Sequence, residues 1–107
     1  MLAGVAQADV GGVARVIDGD TLEMAGTRVR LFGIDAPELS QRCDGLHGSW
    51  PCGLWARDQL RHLVGDHPVH CVGDESDRYG RLIARCAAGQ GDLGAALVRD
   101  GAALAFR

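Results

Sequence analysis

Lysine is absent from this 107-residue chain; all 11 basic residues are arginine. Arginine suits phosphate better, because its planar fork donates two parallel hydrogen bonds where an ammonium offers a point charge. A basic excess is lacking too. The formal net charge is −3, which argues against a chain that coats nucleic acid non-specifically but leaves room for an enzyme with a local arginine cluster. No apolar run approaches the ~20 residues needed to span a membrane. Proline is scarce, at 3, and the 16 glycines are spread along the chain. That reads as many tight turns and no disordered tract. Linkers, low-complexity segments and repeats are missing as well. The length allows one domain with one modest core.

Four cysteines are present: Cys43, Cys52, Cys71 and Cys86. None has C-x-x-C spacing, which argues against a zinc site and a redox motif. Two disulfides have three possible connectivities. Cys43–Cys52 and Cys71–Cys86 are preferred because each closes a short local loop. The second pair also sits symmetrically about Arg78 and Tyr79, as opposite positions of a hairpin would. Four reduced, partly buried thiols are the competing reading. Disulfides imply an oxidising compartment. Ala6-Gln7-Ala8 before Asp9 resembles the end of a cleaved signal peptide, although no basic region precedes it. The expectation is a signal remnant over 1–8, a single domain over 9–107, and a periplasmic or secreted location.

Apolar alternation predicts strands over 10–17, 21–25 and 28–34, with turns at 18–20 and 26–27. Asp18 reads as a turn residue bonding the local backbone. Residues 35–51 read as a loop. Residues 52–65 read as a helix with Leu54, Leu60, Leu63 and Val64 on one face and Gly65 at its end. Strands over 67–73 and 81–88 flank a polar tip at 74–81. A short helix over 92–101 has Asp92 as cap, a stripe of Leu93, Ala96 and Leu97, and Gly101 as its stop. The order β-β-β-α-β-β-α matches a five-stranded OB-type barrel, an α+β fold.

The acids raise the question of function. Asp18, Asp20, Asp35 and Glu38 lie close in sequence, and crowded carboxylates repel unless a cation or a turn needs them. Asp20 and Asp35 fall at strand ends that a meander brings together. Two carboxylates, a backbone carbonyl and waters suit a hard cation, Ca²⁺ or Mg²⁺. Glu38, beyond a stiffening proline, suits a general base. Arg30 and Arg81 suit a phosphate clamp. Each of these residues alone would be an ordinary surface side chain; the joint pattern carries the reading.

"VIDGDTLEM", "RVRLFGIDAPE", "DRYGR" and "ALVRDGAALA" occur in this order. Over roughly residues 10–106 the chain resembles the staphylococcal nuclease (thermonuclease) family. The resemblance implies an OB-fold, Ca²⁺-dependent phosphodiesterase acting on single-stranded DNA and RNA, in which water attacks phosphorus and the products carry 3′-phosphates. It implies Asp20, Asp35 and the Ala36 backbone carbonyl as calcium ligands, with alanine where threonine is common. It implies Glu38 as general base, Arg30 and Arg81 as transition-state arginines, and Arg78, Tyr79 and Phe106 as nucleotide contacts. Family members usually continue into a third helix beyond the position of Arg107, and the resemblance implies that a barrel without it leaves an apolar face uncovered. The barrel face left bare would favour self-association. The alternative is a silent OB module that binds nucleic acid or protein without cutting.

Overall fold

The computed structural model describes residues 8–89 and 91–106. Of the expected signal remnant, residues 1–7 lie outside the described residues.

The first expected strand forms as two, β1 (Ala8–Gly12) and β2 (Arg15–Asp18). β3 (Thr21–Met24) and β4 (Thr27–Leu31) follow as a tight hairpin. Its turn is Ala25-Gly26, at φ 48° and 82°; two positive-φ residues are what a two-residue turn of this hand requires. β5 (Ile34–Asp35) continues β4 after a short turn. The expected loop over 35–51 contains a second hairpin, β6 (Cys43–Gly45) and β7 (Gly48–Trp50). Helix α1 (Cys52–Val64) comes next, then β8 (Val69–Ser76) and β9 (Leu82–Ala88). The chain finishes with β10 (Gly91–Asp92), helix α2 (Leu93–Arg99) and β11 (Leu104–Ala105), which pairs with β5.

The main sheet runs β1-β8-β9-β4-β3-β2, with β10 beside β9. β1 and β2 therefore occupy opposite edges, although only Val13 and Ala14 separate them. That two-residue step curls the sheet, because one short segment must serve both edges. All its pairings are antiparallel except β4–β9. The result is a mixed sheet curled into a half-barrel with two helices, the OB-type α+β fold expected from the element order.

The core is aliphatic. Leu22, Met24, Val29, Leu31, Leu60, Val69, Leu93 and Leu97 are all but sealed from solvent. Helix α1 buries Cys52, Gly53, Ala56, Leu60 and Val64. Leu54, expected on that face, is instead 41% exposed; the inner face runs through Gly53, Ala56, Leu60 and Val64 at helical spacing, which leaves Leu54 to one side. Helix α2 is as expected: Asp92 accepts the Ala95 N–H at 2.9 Å, and Leu93, Ala96 and Leu97 are buried. Gly101, at φ 78°, ends it. Its N–H reaches the Val98 carbonyl at 3.1 Å and that of Ala102 reaches Leu97 at 2.8 Å, the paired bonds of a Schellman stop.

Both preferred disulfides are formed, Cys43–Cys52 and Cys71–Cys86. Cys71 and Cys86 face each other directly across β8 and β9.

Candidate active site

The site begins at the Asp18-Gly19-Asp20 turn. Asp18 Oδ1 accepts the Asp20 N–H at 3.1 Å, the turn role expected of it. Gly19 is required by space and not by φ: a Cβ there would come within 2.8 Å of the Cβ atoms of both Ala36 and Ala56. The turn is thereby pressed onto α1 and onto the start of the next loop, which delivers Asp20 to the interior. Asp20 is only 7% exposed. Its Oδ2 accepts the Ala36 N–H at 3.0 Å, and its Oδ1 accepts the Thr21 hydroxyl at 3.1 Å. Burial pushes its carboxyl up to about 6, with Asp18 adding to the rise, while the Ala36 N–H and Arg30 pull the other way.

Arg30 joins the two ligand candidates. Its Nη1 donates to the Leu31 carbonyl at 3.0 Å and the Ile34 carbonyl at 2.9 Å, spanning the turn between β4 and β5. From there it lies 3.4 Å from Asp20 Oδ2 and 3.4 Å from Asp35 Oδ1. Asp35 is exposed. Arg81 enters from the β8–β9 tip. Asp77 receives the backbone N–H of both Tyr79 and Arg81 at 2.9 Å and the Arg81 Nε–H at 2.7 Å. Partial burial pushes the Asp77 carboxyl up, but the Arg81 N–H and guanidinium with the Tyr79 N–H outweigh it and hold it below its usual value. Arg81 Nη1 also reaches Thr21 Oγ1 at 3.4 Å, so Thr21 links Arg81 to Asp20.

Glu38 is exposed, and its segment is clamped from behind. Its N–H is received by Gln41 Oε1 at 3.2 Å, and its carbonyl accepts the Gln41 N–H at 2.9 Å. The Gln41 carbonyl then accepts the Gly53 N–H of α1 at 3.1 Å. A Cβ on Gly53 would lie 1.9 Å from the Glu38 carbonyl oxygen, so only glycine lets the helix start against this segment.

Asp20, Arg30, Asp35, Ala36, Glu38 and Arg81 all line one cleft of about 910 Å³. Arg78 and Tyr79 sit on its flank. The Tyr79 ring, 66% exposed, has the Arg78 and Arg81 guanidiniums 5.1 and 5.5 Å from its centroid. Phe106 is elsewhere: it lines a separate hollow of about 610 Å³ with Phe32 and Arg85, held there by its N–H to the Gly33 carbonyl at 2.9 Å. Sequence reasoning missed Gln41, Arg42, Gly53 and Asp77. Only Asp77 had a local signal, as an acid opening a D-x-x-G tip. Arg42 depends on the unforeseen hairpin, and Gln41 and Gly53 on the packing of the Glu38 segment against α1.

Among the described residues no three His, Cys, Asp or Glu side chains form a ready cage for a metal. The donors at hand are the carboxylates of Asp20 and Asp35 and the Ala36 carbonyl, all hard oxygens. So sparse a set fits a cation such as calcium or magnesium that completes its shell with water. Across the cleft, Asp18, Asp20, Asp35 and Glu38 outnumber Arg30, Arg42 and Arg81, leaving one formal negative charge.

A model of the family described as staphylococcal nuclease homologue matches residues 28–107. Among curated proteins, the succinoglycan biosynthesis protein ExoI of Rhizobium meliloti (strain 1021) is 40% identical over 96 residues, covering 87% of this chain and 50% of that protein. An uncharacterized endonuclease of Escherichia coli is 36% identical over 105 residues, covering 92% of this chain and 63% of its own length. A micrococcal nuclease of Shigella flexneri is 36% identical over 110 residues, covering 91% and 58%. The chain thus spans between 50% and 63% of the length of these relatives.

Proposed function

The chain belongs to the staphylococcal nuclease homologues, and from that premise we propose that it is a calcium-dependent nuclease that hydrolyses phosphodiester bonds in single-stranded DNA and RNA. The observation that carries the reading is the meeting of Arg30, Arg81 and Glu38 around Asp20 and Asp35 in one cleft. A surplus negative charge disfavours an anionic substrate, and a bound cation would reverse the sign of the cleft. Asp20, Asp35 and the Ala36 carbonyl are the groups that would hold that cation. When bound, it adds two positive charges beside the phosphate and lowers the pKa of water in contact with it.

The remaining work falls to the chain's own groups. Glu38 takes a proton from the attacking water, whose oxygen forms a bond to phosphorus. The bond from phosphorus to the 5′ oxygen breaks, and the departing alkoxide takes a proton from solvent. The product carries a 3′-phosphate. Arg30 and Arg81 donate to the phosphoryl oxygens as charge grows on them. Both guanidiniums are held in advance, Arg30 by two carbonyls and Arg81 by Asp77. These groups act on phosphate and sugar-phosphate oxygens, so DNA and RNA are both substrates. The two disulfides fit a non-cytoplasmic, oxidising environment, and we place the working enzyme in the periplasm or outside the cell.

The test is cleavage of single-stranded DNA and RNA with calcium and with EGTA, beside the Glu38→Gln variant. Calcium-dependent cutting that falls at least a hundredfold in the variant supports the reading. Cutting retained by Glu38→Gln removes Glu38 as base. A folded protein that cuts nothing is a binding module.

A further inference from the structure

The cleft is larger than one phosphate and its cation require. At about 910 Å³ it falls near the top of the ~300–1,000 Å³ range of ligand pockets. Part of its wall comes from the segment leading into the β6–β7 hairpin and from the start of α1: Leu39, Gln41, Arg42, Pro51 and Leu54 line it. Apart from Gln41, which holds the Glu38 segment, none of these has a part in the chemistry above.

Arg42 stands out by charge. Arg30 and Arg81, the other cleft cations, are each paired with carboxylates. Arg42 has no acidic partner among the described residues. Its Nε donates to Ser49 Oγ at 2.8 Å and its Nη2 to the Ser49 carbonyl at 3.1 Å. Both acceptors are neutral, so the full positive charge stays available. Two of its five N–H groups are used, which leaves three donors for a ligand. The guanidinium is also held in place before any ligand arrives. Ser49 lies on the facing strand of a hairpin that the Cys43–Cys52 bridge ties to α1. The Trp50 ring packs edge-on against Trp55 of the helix, with centroids 5.7 Å apart. A cation fixed in this way loses little entropy on binding an anion.

We infer that the segment leading into the disulfide-tied hairpin is a substrate-gripping wall, braced from behind by that hairpin, and that Arg42 binds a phosphate of the polynucleotide flanking the scissile one. The inference rests on the nuclease reading. It adds that the protein favours chains over dinucleotides, and that the preference comes from Arg42. As a positioning residue, Arg42 sets affinity for the chain and leaves the chemical step alone.

The experiment measures binding in the Glu38→Gln background with calcium present, so that nothing is cut. The probes are a fluorescent single-stranded DNA of about twelve nucleotides, a length within the ~4–16 nucleotides that OB folds cover, and a labelled dinucleotide. Arg42→Ala is expected to weaken the oligonucleotide about five- to twentyfold and the dinucleotide less than about twofold, and to lower the slope of log Kd against log salt by about 0.7. Arg42→Lys recovers part of the loss, since the charge returns without the fork. In the cutting enzyme, Arg42→Ala raises KM for the oligonucleotide and leaves kcat unchanged. Unaltered oligonucleotide affinity, or an equal loss for both probes, overturns the inference while cleavage by the wild-type chain leaves the nuclease reading standing. A wild-type chain that neither binds nor cuts overturns both. A melting temperature shared by Arg42→Ala and its parent shows that the fold is not the cause.

Discussion

The two disulfides close loops of 9 and 15 residues. Chain entropy alone makes them near equals, about 2.6 and about 3 kcal/mol. Their surroundings are not alike. Cys71 and Cys86 are 0% and 2% exposed and bridge neighbouring barrel strands inside the aliphatic core. Cys43–Cys52 joins a hairpin of exposed residues to the first turn of α1, next to the segment that carries Glu38. The barrel strands would stay paired with the second bridge open, because backbone ladders and Leu22, Val29 and Val69 hold them. The hairpin has no such support. It has its own ladder, the Arg42–Ser49 bonds and one Trp–Trp contact. Similar covalent constraints thus serve the core in one place and the cleft in the other.

Removing each bridge tests that contrast. Cys71→Ala with Cys86→Ala is expected to lower stability by about 3–5 kcal/mol, as lost loop constraint is joined by lost core volume. Cleavage by the molecules that remain folded should be near normal. Cys43→Ser with Cys52→Ser is expected to lower cleavage about tenfold with a smaller shift in melting temperature. Urea unfolding and cleavage rates on the same samples decide it; equal stability losses with equal rates would erase the contrast.

Gly53→Ala sharpens it within the cleft. The added methyl has no room beside the Glu38 and Leu39 carbonyl oxygens, at 1.9 and 2.6 Å, so the segment must move. A shift on the order of 1 Å at a catalytic group costs about a hundredfold in rate. Native cleavage by a folded Gly53→Ala variant would show that Glu38 does not need this clamp.

The last expected effect on stability has the opposite sign. The Asp20 carboxyl titrates near its ordinary 3.8 when unfolded and near 6 when folded. The folded state therefore binds this proton more tightly. Its contribution to stability is greatest at low pH and is lost as pH rises from about 4 to about 6. In cation-free buffer at neutral pH, Asp20→Asn should thus stabilise the protein by about 1–3 kcal/mol, while abolishing cleavage. Urea titrations across that pH range measure it. A variant no more stable than its parent would mean that Arg30 and the Ala36 N–H already offset the burial of the charge.

Much of this molecule was legible along the chain. Helix α2 was written by local chemistry: an acid to cap it, a three-residue apolar stripe, and a glycine to stop it. The Cys71–Cys86 pairing followed from hairpin symmetry. The acids and arginines of the cleft were legible only jointly, through a pattern spread over the strands that deliver them. Other readings failed for identifiable reasons. The β6–β7 hairpin has glycine-bracketed strands with Leu46 fully exposed at its tip, so periodicity had nothing to detect. Leu54 looked like core by type, but the inner face of α1 runs through Gly53, Ala56, Leu60 and Val64, and Leu54 falls to one side of it. Phe106 looked like part of the nucleotide site, yet β11 pairs with β5 and carries it to another hollow.

The sequence by itself determined the fold class, a preference among the disulfide pairings and most of the charged groups of the cleft. Each of these rests on turn chemistry, strand patterning or loop length, which are local properties of the chain. Only the tertiary structure decided which of those groups share a cleft, which carboxylate is buried, and which cleft cation has no acidic partner among the described residues. Burial and charge pairing are sums over neighbours brought together from distant parts of the chain. Those neighbours exist only once β1 and β2 have taken opposite edges of the sheet and curled it around its core.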